Sequence, residues 1–212
     1  MNDWACNCGM GGGHSHDSSL DDESTTNLRS YIDMSSVHAL NESEAGSCKL
    51  VFKDYKSRNQ PLPNMKSNED DPELILHVPF TQAVKVQSVC ISGGLGGKAP
   101  TEAKVWVDRD DIDFSNAEDL PPAQTLSLVD PDQHLQFGAG SLDYPLRASK
   151  FQAASSLTFF FPDSFGGDRT VITYVGFKGI AMNMRRGVVD AVYEARPVPK
   201  DHKVKDEGFG SG

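Results

Sequence analysis

Apolar and polar positions alternate along much of the chain, most densely over residues 73–91. Leu74, Leu76, Val78 and Phe80 share one parity and Glu73 and His77 the other, which is the pattern of a strand with one buried face. Pro79 cannot donate to a ladder and predicts an edge or a bend. Over 83–91, Val84 and Val86 continue the alternation, but Val89 and Ile91 fall on the opposite parity. That break predicts either a bulge near Gln87 and Ser88 or a strand covered on both faces. The runs 73–80 and 83–91 are therefore expected to be the central pair of strands.

Weaker alternation predicts further strands. Tyr31 and Ile32 suggest a short one, residues 35–42 a helical turn capped by a serine, and Cys48, Leu50 and Phe52 another alternating run. Residues 54–72 are polar with three prolines and predict a long surface connection. After the glycine-rich turn at 92–100 come Val105-Trp-Val107, then Leu126 with Leu128, and Leu135 with Phe137. Such turns between short strands predict antiparallel connections. Leu157, Phe159 and Phe161 define a strand ended by Pro162, and Val171, Thr173, Val175 and Phe177 a second in a hairpin-like arrangement with it. Residues 188–195 predict a last strand. About eight to ten short strands with no helix of three turns favour an all-β chain, a β-sandwich over any βαβ fold.

The chain has 212 residues, of which 20 are basic and 30 acidic, for a formal charge of −10. That length suits one domain with tails. A net negative field repels nucleic acid and anionic lipid unless a basic patch intervenes, and the only basic run, Arg185-Arg186, is too short. No window reaches the apolar length of a membrane span and no signal-peptide pattern opens the sequence, so an intracellular protein is expected. Its four cysteines are then expected as free thiols. In that compartment the sequon at Asn41 goes unused.

Composition predicts a disordered Gly/His/Ser-rich tail over 1–27 and a flexible polar tail over 197–212. Cys6, Cys8, His14 and His16 could fold around zinc or copper, but their spacing is not that of a structural zinc finger, so no metal is assigned. Gly94-x-Gly96-x-x-Ala99 formally fits a dinucleotide fingerprint, yet the following residues predict a strand rather than the required helix. Gly97-Lys98 fails as a P-loop because Ser92 and Ala99 stand where a glycine and a hydroxyl are needed. Asp108, Asp110, Asp111 and Asp113 lack EF-hand spacing and predict a solvated acidic loop. Cys90 reads as an inert core thiol, and His77 and His134 as structural or surface histidines. No catalytic residue and no cofactor is expected.

One ordered set of segments carries a resemblance. It runs Leu40-Asn-Glu42, Asp71-x-Glu73-Leu-x-Leu-x-Val-Pro-Phe80, Val84-Lys-Val86, Ile91-Ser-Gly93, Pro100 and Gln124, then Lys150-Phe-Gln152, Ser156-Leu-Thr158 and Thr173-Tyr-Val-Gly176 with Gly179. Over residues 28–196 the chain resembles the PITH domain, the proteasome-interacting module found at the C-terminus of a thioredoxin-like protein. Its two tails are similar to those of stand-alone PITH domain-containing proteins. The resemblance implies a jelly-roll β-sandwich of galactose-binding-domain type and a non-catalytic protein-interaction role with the proteasome or its regulatory particle. It implies a monomer of the cytoplasm and nucleus. The chain has no Cys-x-x-Cys, so the redox chemistry of two-domain relatives does not carry over. Pro199, Lys200, Asp201, His202, Lys203 and Val204 keep the family pattern beyond the last predicted strand and are the expected partner contact. Metal handling by the N-terminal Cys/His tail, and carbohydrate or small-ligand binding by the sandwich, are the alternative functions.

Overall fold

The stretch expected to form two central strands is one strand of 20 residues, β4 (Leu74–Gly93), in the computed structural model, which describes residues 26–135 and 142–182. No Gly, Asn or Asp stands between Phe80 and Val84 to turn the chain back, so it runs on. Pro79 ends the regular ladder with the neighbouring strand β8 (Ala154–Phe161), whose register shifts between Pro79 and Val84.

The parity break is a bulge. Against β9 (Val171–Ala181), Val86 faces Gly179 and Ser88 faces Lys178, which leaves Gln87 as an extra residue. A strand's side-chain period is two, so one inserted residue exchanges its faces. Val84 and Val86 before it and Val89 and Ile91 after it all reach the same core.

β4 belongs to both layers of the sandwich. Its first half pairs with β2 (His38–Leu40) on one side and β8 on the other, and β8 continues to β5 (Glu102–Val107) and β6 (Gln124–Ser127). Its second half pairs with β7 (Asp143–Pro145) and β9. Strands β1 (Thr26–Asn27) and β3 (Met65–Lys66) lie on the far side of β9. Every pairing is antiparallel. Between the layers, the Phe177 ring lies 5.9 Å from Phe159 and 5.6 Å from Phe80.

Two expected connections differ. β8 and β9 do not form a hairpin, because β4 lies between them and the chain from 162 to 170 crosses from one layer to the other. Nor does the glycine-rich turn join adjacent antiparallel strands, since β8 separates β4 from β5. Nine strands are present among the described residues, within the expected range.

Short polar contacts account for the other local differences. Asn27 accepts a hydrogen bond from Arg29 N and winds Leu28–Tyr31 into a 3₁₀ turn, leaving Ile32 a single bridge to Phe80. At 33–36 the turn is organised by Asp33, not by a serine cap, and 38–40 become β2 because the β4 edge offers a ladder. Ser47–Val51 is a 3₁₀ helix rather than an alternating strand. The Glu42 carboxylate accepts from Gly46 N at 2.6 Å and Cys48 N at 2.9 Å, which curls the segment. Cys48 and Val51 are buried while Leu50 is 49% exposed, a spacing of three rather than two. The polar segment 54–72 is not wholly superficial, since it contains β3 with a fully buried Met65. Leu135 closes a short helix, α1 (Pro131–Leu135), rather than opening a strand. Pro131 suits the first helical position, and the Asp130 carboxylate accepts from Asp132 N. Phe137 and the strand expected at 188–195 lie outside the described residues.

The outer face of the first layer carries its own apolar cluster. Ile75, Trp106 and Phe160 project there and are covered by Ile112, Ala117 and Leu120 of the loop after β5.

Candidate functional site

The glycine-rich loop after β4 has the backbone of an anion cradle, since Gly96 and Gly97 both have left-handed φ, +71° and +73°. Its anion comes from the chain itself. Asp132 Oδ2 accepts from Gly96 N at 2.7 Å and Gly97 N at 3.2 Å. With those two amides engaged and β5 following the loop, the segment is an internally tied turn.

The acidic loop is similarly engaged in its own folding. Asp108 accepts from Ser155 N and Ser156 N, Asp111 takes a two-point contact from Arg109 at 2.6 and 2.8 Å, and Asp113 accepts from Ser115 and Asn116. The Arg109 hydrogen bond holds the Asp111 carboxyl below its usual range, and the Ser115 side chain does the same for Asp113. Asp110 makes no such contact among the described residues. No group of three or more His, Cys, Asp or Glu side chains there is arranged to hold a metal ion by itself.

Between that loop and β2 lies a cleft of about 210 Å³ lined by His38, His77, Thr158 and the acidic residues Asp110, Asp111 and Asp113. His77 is directly opposite His38 across β2 and β4 and directly opposite Thr158 across β4 and β8. The Thr158 hydroxyl donates its one proton to Arg109 O at 2.5 Å, so at 2.8 Å it accepts from His77 Nδ1. Burial pushes the His77 imidazole below its ordinary pKa, His38 adds to this, and Asp110 opposes it. Neutral His77 thus carries its proton on Nδ1 and a lone pair on Nε2.

A second cleft, of about 290 Å³, opens at the end of the sandwich where β3, the β4–β5 loop and the β8–β9 loop meet. Lys66, Lys98 and Arg169 line it with Asn64, Leu95 and Pro61. Lys98 pairs with Asp168 at 3.3 Å and Arg169 with Glu69 at 2.5 Å. Arg169 Nε is buried with no hydrogen-bond acceptor among the described residues, and Asp168 Oδ2 stands 3.8 Å from it. Leu62 and Leu95 nearby are 67% and 56% exposed. Three basic side chains, two of them already ion-paired, thus stand beside exposed apolar residues at this end of an acidic chain, and their separated positions gave no sequence signal.

Neither described cysteine has the setting of a nucleophile. Cys48 and Cys90 are both buried thiols outside any disulfide, and burial, reinforced by Glu42, pushes the Cys48 thiol up to about 12. Cys6, Cys8, His14, His16 and the segment from Pro199 to Val204, with Lys200, Asp201, His202 and Lys203, lie outside the described residues. So does the side chain of His134.

Several residues of the ordered motif set prove to be builders of the fold. Asn41, at φ 69°, donates to Glu73 O, and Glu42 winds the following turn. A Cβ on Gly179 would stand 2.0 Å from Lys85 O, and one on Gly176 would strike the Tyr174 hydroxyl.

This architecture is a jelly-roll β-sandwich of the galactose-binding type. Two solved structures share it at a TM-score of 0.50 each. One is the pair of CBM32 domains of Clostridium perfringens ZmpB, 12% identical, with the match covering 77% of this chain and 40% of that one. The other is truncated AlyQ with CBM32 and alginate lyase domains, 11% identical, covering 74% and 34%. At that identity the likeness shows the fold alone. The chain belongs to the PITH domain family, whose signature matches residues 18–197. PITH domain-containing protein 1 of Dictyostelium discoideum is 33% identical over 189 residues, covering 89% of this chain and 90% of its own. The human protein of the same name is 32% identical over 174 residues, covering 82% and 79%.

Proposed function

We propose that the chain is a non-catalytic, intracellular protein-interaction module, monomeric and shared between cytoplasm and nucleus, whose partner is the proteasome or its regulatory particle. The observation that carries this reading is membership of the PITH domain family across 18–197. The end-on cleft supports it with Lys66, Lys98, Arg169, Leu62 and Leu95, the mixture of charge and exposed apolar surface that a protein partner can cover. The carbohydrate alternative finds less support. Sugar sites stack rings against aromatic faces, but neither cleft has Trp, Tyr or Phe in its lining. The one described tryptophan, Trp106, is only 2% exposed.

Affinity purification of the tagged chain with quantitative mass spectrometry tests the reading. Proteasome core or regulatory subunits should be enriched over a tag-only control. A profile without them overturns the assignment.

A further inference from the structure

We propose that the cleft between β2 and the acidic loop binds one first-row divalent cation, zinc or copper, through Nε2 of His38 and Nε2 of His77. Both imidazoles are prepared for that role. The His38 Nδ1 lies 3.1 Å from Ser36 O, and a carbonyl can only accept, so the proton sits on Nδ1 there as it does on His77. In that tautomer each ring offers Nε2 as the lone-pair atom. Hydrogen bonding of the other ring nitrogen to an oxygen acceptor is the usual support of a metal-ligating histidine, because it fixes the tautomer and the ring plane.

Ring geometry gives the pair its direction. His77 turns Nδ1 toward Thr158 on β8, which puts the opposite edge of the ring, Cδ2 and Nε2, on the side of β2 and His38. An imidazole nitrogen lies about 1.2 Å from its ring centre and binds zinc at about 2.0–2.1 Å. Two rings sharing one cation at about 90–110° therefore have centres about 4.5–5.2 Å apart. The His38 and His77 centroids are 4.9 Å apart, with the planes inclined by 35°.

Charge selects the ligand's sign. Asp110, Asp111 and Asp113 line the same cleft, and no lysine or arginine does. Asp111 and Asp113 are tied into the loop, so they act through their field, while Asp110 is free of such ties among the described residues. Two imidazoles are the protein ligands and water fills the remaining positions, consistent with the lack of a three-donor group there. Imidazole suits zinc, copper and nickel, and the Irving–Williams order places Cu(II) as the tightest probe.

The test uses the full chain with Cys6→Ser, Cys8→Ser, His14→Gln and His16→Gln, so that tail ligands do not contribute. Calorimetric titration with Zn(II) and with Cu(II) should give one site per chain, with Cu(II) tighter. Electron paramagnetic resonance of the Cu(II) form should show two nitrogen ligands. His38→Gln, a change on an exposed side chain, should weaken binding at least tenfold without altering the metal-free melting temperature. His77→Gln should do the same to binding. Failure of the tail-substituted chain to bind either cation, or binding unchanged in His38→Gln, overturns the proposal.

Discussion

Phe159 is fully buried between the layers, stacked 6.2 Å from Phe161 and tilted against Phe177 at 5.9 Å. Truncation there removes contacts to both sheets and leaves a cavity that rigid strands cannot close, so Phe159→Ala should cost about 3–5 kcal/mol in denaturant unfolding. A loss under about 1 kcal/mol would mean that the layers do not meet at this ring. Cys48 makes a different kind of residue-scale prediction. Its thiol is raised from 9.0 to about 12, so above pH 9 the unfolded chain releases a proton that the folded chain keeps. Stability present below pH 9 is then lost as pH rises toward 12, by up to about 1.4 kcal/mol per pH unit. Tyr174, also raised to about 12 from 10.0, adds to the slope only above pH 10. Urea unfolding at pH 9.0 and 10.0 should therefore show a decline that Cys48→Ala reduces. Equal slopes in the two proteins would show that the thiol titrates normally in the fold.

At the scale of elements, what could be read from the sequence depended on how many residues repeat a pattern. β4 and β8 carry four and three same-face apolar residues in succession, enough to fix their period and the face toward the inter-layer core, but not the burial of Ile75, His77 and Phe160 on the other face. The displaced parity of Val89 and Ile91 left a bulge near Gln87 and Ser88 or a doubly covered strand as alternatives, and the register shifts between Val86 and Ser88. The 3₁₀ segments were illegible because so short an apolar run holds both periods, with Cys48, Leu50 and Phe52 spaced by two and Cys48 and Val51 by three. The continuity of β4 was hidden by Pro79 and the polar Thr81-Gln82, which resemble a turn locally, although Val84 beyond them resumes pairing with both β8 and β9. The strand order was hidden for the same reason, since β4 inserts between β8 and β9 only by long-range pairing. The bulge permits a direct test. Deleting Gln87 returns β4 to a uniform period of two and turns Val89 and Ile91 outward if the N-terminal half holds its register. The deletion variant should lose its cooperative thermal transition, whereas Gln87→Ala should melt within a few degrees of the parent. A deletion variant as stable as Gln87→Ala would mean that the bulge is not what faces those side chains inward.

The whole molecule brings together side chains that no local motif unites. His38 meets His77 through the β2–β4 register, Gly96 and Gly97 meet Asp132 across the sandwich end, and Lys66, Lys98 and Arg169 converge from strand β3 and two loops. Candidate surfaces were therefore less legible than strands, and the only contact segment the sequence offered was the tail from Pro199 to Val204. The two surfaces can be separated because they differ in what binding requires. A tail as flexible as its composition predicts would lose conformational entropy on binding, which limits what it supplies alone, whereas the cleft rests on strands and tied loops of the fold. Lys66→Glu with Lys98→Glu reverses two charges at the cleft and leaves the core intact. If the proposed partner docks there through acidic residues, its association should weaken severalfold and fall less steeply with added salt. Truncation after Pro197 should then have the smaller effect, with the melting temperature of both variants within a few degrees of the parent. Association weakened only by truncation would place the contact on the tail, and association undiminished in the charge-reversed chain would remove the cleft from the interface.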